Sequence, residues 1–195
     1  LTVGINSFAL VWYLPVWYFR VGSATTTEAL TTFGVSELGI IVATTTMIAG
    51  AMIAFLRALA IGEVSYVAPI SKIVPVFVLP IEVVVLGQVL TPLQVAGVLV
   101  ATAAVYVANF RGGSLLEPLR QATTSTAARL AILSAMAFGV SDVARRIALQ
   151  ELAIPVGVWI PIVLGGVAVV LLPAAFRATS PATLRADLPK LAVGG

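Results

Sequence analysis

The chain has 195 residues, of which 60% are hydrophobic and 10% charged, and it carries a formal net charge of +3. A soluble domain averages roughly 45–50% apolar and about 25% charged, and a globule of this size leaves a large share of its surface in water. The mean hydropathy of +1.10 therefore excludes a soluble enzyme, a nucleic-acid module and a disordered tail. The positive charges are spread thinly, with no basic cluster that would engage nucleic acid.

There is no Cys and no His. Disulfides, thiolate and imidazole metal ligands, Ser-His-Asp triads and His proton relays are all absent as a consequence. No phosphate-cradling Gly loop and no nucleophile–base set stands in their place. The expectation is a non-enzyme without a cofactor or a metal site.

A helix needs about 20 apolar residues to cross a bilayer core. In chain order the stretches that meet this are roughly Leu1–Phe19, Glu37–Leu59, Val64–Leu86, Pro92–Phe110, Ala127–Leu149 and Val156–Phe176, and a seventh starts near Leu188. Short polar connections such as Gly22-Ser23-Ala24-Thr25, Gly62-Glu63 and Gly87-Gln88 separate them, so neighbours run antiparallel. The expected fold class is an all-α polytopic membrane protein, an antiparallel bundle of transmembrane helices. The sequence opens at Leu1 and stops at Gly195 inside apolar runs, and it reads as an internal piece of a longer protein.

The first span ends in Trp12, Tyr13, Trp17, Tyr18 and Arg20, an aromatic and basic belt of the kind found at a membrane–water boundary. Asn6 and the run Thr44-Thr45-Thr46 place polar groups at lipid depth, where they glue helices or line a path. Ala49-Gly50-Ala51 and Gly165-Gly166 read as close helix packing.

The third span differs from the others. Pro69, Pro75 and Pro80 each remove a backbone donor and press on the carbonyl one turn earlier. Kinked helices with freed carbonyls are tolerated in membranes where they line a cavity or are covered by protein. Lys72 lies about 12 Å into this span at 1.5 Å per residue, and a charge at that depth costs about 2.5–3.5 kcal/mol on insertion scales. Two readings follow for Lys72: it meets an anionic group of a substrate, or it forms a structural ion pair between helices. Glu82, about 80° away in azimuth, does not stack on it and reads as a structural partner. Tyr66 and Ser71 share the span. In the fifth span Asp142 either pairs with Arg145 or Arg146 or faces the pathway.

The polar stretch from Arg111 to Thr126 separates two halves. Leu14-Pro15-Val16-Trp17-Tyr18-Phe19-Arg20 and Leu172-Pro173-Ala174-Ala175-Phe176-Arg177 repeat faintly, five spans apart and thus in opposite directions across the membrane.

Ala58-Leu59-Ala60-Ile61-Gly62-Glu63-Val64-Ser65-Tyr66-Val67-Ala68-Pro69-Ile70, then Ile73-Val74-Pro75-Val76-Phe77, Leu86-Gly87-Gln88 and Leu93-Gln94-Val95-Ala96-Gly97-Val98-Leu99-Val100, form a signature. It resembles the EamA domain of the drug/metabolite transporter superfamily, with Gln88 where that family has Glu. Phe138-Gly139-Val140-Ser141-Asp142-Val143-Ala144-Arg145-Arg146 resembles the start of the next repeat. The resemblance implies a ten-helix fold of two inverted five-helix repeats. Residues 1–110 would be a first repeat lacking its first helix, 111–126 the inter-repeat linker and 127–195 the truncated start of a second repeat.

The function expected is secondary transport of a small metabolite or drug-like solute by alternating access, with Lys72, Asn6, Tyr66, Ser71 and Asp142 as pathway candidates. A non-transporting membrane scaffold, or a subunit of a membrane complex, is the alternative. Expected partners are a small-molecule substrate, the lipid bilayer and a second copy in a homodimer, but no nucleic acid. The expected location is the plasma or inner cell membrane. The Lys/Arg distribution places the 111–126 linker in the cytoplasm, whereas the resemblance implies that it lies outside.

Overall fold

The computed structural model describes residues 2–109 and 124–178. The helices are α1 (Thr2–Arg20), α2 (Gly22–Thr32), α3 (Val35–Ile61), α4 (Val64–Ser71), α5 (Val74–Leu86), α6 (Pro92–Asn109), α7 (Thr126–Arg146) and α8 (Val156–Ala178). A π-helical turn, Ile147–Glu151, extends α7. Residues 111–123 of the expected linker and the expected span near Leu188 lie outside the described residues.

Local chemistry sets the helix ends. Thr91 and Gln94 form a reciprocal capping box at the start of α6. The Thr91 N–H donates to Gln94 Oε1 at 2.8 Å, and the Gln94 N–H donates to Thr91 Oγ1 at 3.3 Å, with Pro92 as the first helical residue. Gly87 closes α5 in the left-handed region at φ 61°, which lets the Gln88 N–H turn back to the Glu82 carbonyl at 3.3 Å. At the start of α3 the Gly34 N–H and the Ser36 hydroxyl both donate to Glu37 Oε2, at 2.9 and 3.1 Å.

Four helical segments are long and apolar enough to cross a membrane: Val35–Ile61, Val64–Leu86, Thr126–Glu151 and Val156–Ala174. A shorter apolar helix covers Pro92–Val107. α1, read from the sequence as a span, is not one of the four. Burial is inside-out by the standard of a soluble protein. α5 leaves Val83, Val84 and Val85 exposed, and its one buried residue is Glu82. Lipid rewards that distribution, since an apolar side chain costs nothing there and a carboxyl group does.

Contacts divide the described chain into two compact units. One comprises residues 2–49 with 144–178, and the other residues 50–109 with 124–143.

In the first unit α1 runs antiparallel to α8. Val21, just past α1, meets Gly157, where a Cβ would overlap its side chain, and Leu10 lies 3.8 Å from a Cβ built on Gly165. α3 packs on α8 through Gly166, whose added Cβ would stand 2.8 Å from Thr45 Cγ2. Ile41, Ala148, Ile154 and Trp159 form the buried cluster here.

In the second unit the end of α3, α4 and the start of α7 close around Ala58, Tyr66, Val67, Ile70, Ala127, Ala128 and Ala131. α7 contributes a ladder of buried small residues at four-residue spacing: Ala127, Ala131, Ala135, Gly139 and Val143. Such ladders let helix backbones approach closely in lipid. A Cβ on Gly62 would stand 2.6 Å from Ala127 Cβ, and one on Gly139 would stand 3.0 Å from Phe77 Cβ. α6 lies against α4 and α5.

Candidate functional site

The third apolar stretch is not one continuous helix. Pro75 has no N–H to offer the Ser71 carbonyl, and its ring crowds that carbonyl. α4 therefore ends at Ser71, and two tighter bonds close it: Lys72 N–H to the Pro69 carbonyl at 3.0 Å and Ile73 N–H to the Ile70 carbonyl at 3.2 Å. α5 restarts at Val74 with Pro75 in its first turn, where a missing donor costs nothing. Pro69 lies inside α4 and Pro80 inside α5.

The break puts Lys72 on the surface of the unit. The Ser71 hydroxyl donates back to the Ala68 carbonyl at 2.7 Å. Tyr66 lies a turn and a half earlier and is buried in the α3–α4–α7 cluster. Of the residues singled out from the sequence, the break thus brings Lys72 and Ser71 together, while Tyr66 belongs to the packing beneath. Asp142 is half-buried on α7, next to buried Ser141, whose hydroxyl donates to the Phe138 carbonyl at 2.8 Å. Ser134, two turns further back on the same side of α7, is fully buried and its hydroxyl has no hydrogen-bond partner among the described residues. Sequence reading passed over Ser134, because a lone serine in an alanine-rich helix carries no signal.

Asn6 lies half-buried on α1 in the first unit. In that unit Thr46 donates to the Val42 carbonyl, whereas Thr44 and Thr45 are buried with no hydrogen-bond partner among the described residues. An open cleft of about 450 Å³ lies at the end of this unit. Thr25, Glu28, Thr32 and Glu37 line one side, and residues 152–155 line the other. Ala153 there sits at φ 51°, a left-handed conformation that costs a residue with a Cβ about 1–2 kcal/mol. The cleft has two carboxylates and no basic side chain in its lining, so its field favours cations. In the sequence Glu28 lies in a connection and Glu37 at the first position of an apolar stretch, so neither marks the cleft there.

Among the described residues no group of three or more His, Cys, Asp or Glu gathers to hold a metal ion. The arrangement offers instead a broken apolar helix with an ammonium group at the break, and a separate acidic cleft at the end of the other unit. In comparisons with known proteins no family model matches the chain, and neither a curated protein nor a solved structure matches it.

Proposed function

We propose that the chain acts in secondary transport of a small solute across a membrane, by alternating access within a ten-helix inverted-repeat fold of the EamA type. One observation carries this reading: a membrane-length apolar helix is interrupted at Ser71–Ile73, with Lys72 exposed at the interruption. Discontinuous helices that expose backbone and charge at depth are how transporters build solute sites. An ionisable residue at that depth is expensive, and function is the usual reason for its presence. On this reading Lys72 meets an anionic group of the solute, and Ser71 and Asp142 lie along the pathway.

The test is counterflow in proteoliposomes against a panel of anionic and neutral metabolites, comparing the parent chain with Lys72→Met. Transport of at least one anionic solute, lost in Lys72→Met while the yield of folded protein is unchanged, is the expected result. Equal counterflow in both proteins would remove Lys72 from the pathway. No counterflow at all, together with a stable heteromeric partner on gentle extraction, would favour the scaffold reading.

A further inference from the structure

In the first unit three apolar helices have an end at one place. α1 finishes where Val21 meets Gly157, at the start of α8. The lead-in to α3 and the residues before α8 line the same cleft. α2 joins two of these ends. It has 11 residues, about 16 Å, which is too short to cross a core of about 30 Å. Its sequence, Gly22-Ser23-Ala24-Thr25-Thr26-Thr27-Glu28-Ala29-Leu30-Thr31-Thr32, is the least apolar of the helices around it.

Two features fix its position. Gly22 at φ 77° lets the chain turn off the end of α1, and the Trp17 indole N–H donates to Thr26 Oγ1 at 2.9 Å. The hydroxyls of Thr26, Thr27, Thr31 and Thr32 donate to carbonyls of their own helix, so α2 needs little from its surroundings. Just below the turn, α1 exposes Trp12 (68%), Tyr18 (69%) and Phe19 (82%), and it ends in exposed Arg20. The polar-edged rings of Trp12 and Tyr18 and a terminal arginine are the side chains that a lipid–water boundary collects, and Phe19 adds apolar surface beside them.

We propose that α2 lies along the membrane surface at headgroup level, strapped to α1 by the Trp17–Thr26 bond, with Trp12, Tyr18 and Phe19 seated in the phospholipid interface of that leaflet. The inference rests on the membrane-spanning reading of α3 and α8, and its test separates the two.

The chain has no cysteine, so single-cysteine variants need no further background changes. Thr27→Cys and Thr31→Cys report on α2. Val42→Cys reports on the lipid-facing side of α3, about 10 Å further along its axis than Val35. Each is reconstituted in open phosphatidylcholine membrane fragments and treated with a charged maleimide. Both α2 cysteines are expected to react as fast as in detergent, and Val42→Cys about tenfold or more slowly, because a thiol in lipid does not ionise. If the α2 cysteines react only after detergent is added while Val42→Cys stays protected, the proposal is overturned and the spanning reading stands. If all three react equally in the membrane, the spanning reading fails and the proposal falls with it.

Fluorescence supplies a second measurement, on a variant that keeps Trp17 while Trp12 and Trp159 become Phe. Lipids brominated near the headgroup should quench it more than lipids brominated near the chain ends, and the opposite order would overturn the proposal.

Discussion

α5 and α7 belong to the same compact unit and bury opposite things. α5, built mainly of Val, Leu, Ile and Phe, turns Val83, Val84 and Val85 outward and buries Glu82. α7, rich in alanine and carrying Ser, Asp and Arg, buries a ladder from Ala127 through Gly139 to Val143 and makes the close contacts of the unit. In water the more apolar helix would be the more buried. Between helices in lipid the hydrophobic effect supplies no drive, and closeness of backbones decides. Close packing here is made by small side chains, and large apolar side chains such as Val84 and Val85 stay exposed.

The largest effect that would break this contrast is expected at Gly62. A Cβ there would stand 2.6 Å from Ala127 Cβ, so Gly62→Leu must part α3 from α7. A loss of about 3 kcal/mol is expected, read as a fall in the thermal midpoint of the detergent-purified protein. An unchanged midpoint would show that α7 does not pack through its small ladder.

Next in size is Pro75→Ala. It returns a donor to the Ser71 carbonyl and removes the ring that crowds it. α4 and α5 should join, with a gain of about 1 kcal/mol and slower amide exchange over residues 71–75. Unaltered exchange would mean that Pro75 does not cause the break.

An effect of comparable size and opposite sign is expected for Gly139→Ala, whose Cβ would meet Phe77 Cβ at 3.0 Å. A loss of about 1 kcal/mol is expected, again in the thermal midpoint. A gain would show that α5 yields easily at Phe77.

Much of the helical layout could be read from the sequence, because long apolar runs with polar interruptions have few other solutions. α2 was not among the elements read. Thr is a poor helix former by propensity, and the run Thr25-Thr26-Thr27 followed by Thr31-Thr32 gives no apolar stripe. The hydroxyl-to-carbonyl bonds and the Trp17 strap that hold it appear only in three dimensions. The π-helical turn at Ile147–Glu151 leaves no composition signal either.

For the site, the prolines and Lys72 could be found as departures from an apolar background. The position of the break could not, since Pro69, Pro75 and Pro80 are equivalent on paper, and it is the position of Pro75 relative to Ser71 that ends the helix. Tyr66, a pathway candidate, has its ring in the core beside Ala127 and Ala128, a placement that its position in the third span does not reveal. The cleft beside Glu28 and Glu37 escaped notice because it forms from segments more than a hundred residues apart.

On the transport reading, water reaches the break in the third apolar stretch while the exposed side of α7 faces lipid. Lys72→Cys and Met136→Cys, the latter on the exposed side of α7, test this together in reconstituted membranes with a charged maleimide. The account predicts that Lys72→Cys is labelled and Met136→Cys is not until detergent is added. Equal protection of both cysteines would contradict it.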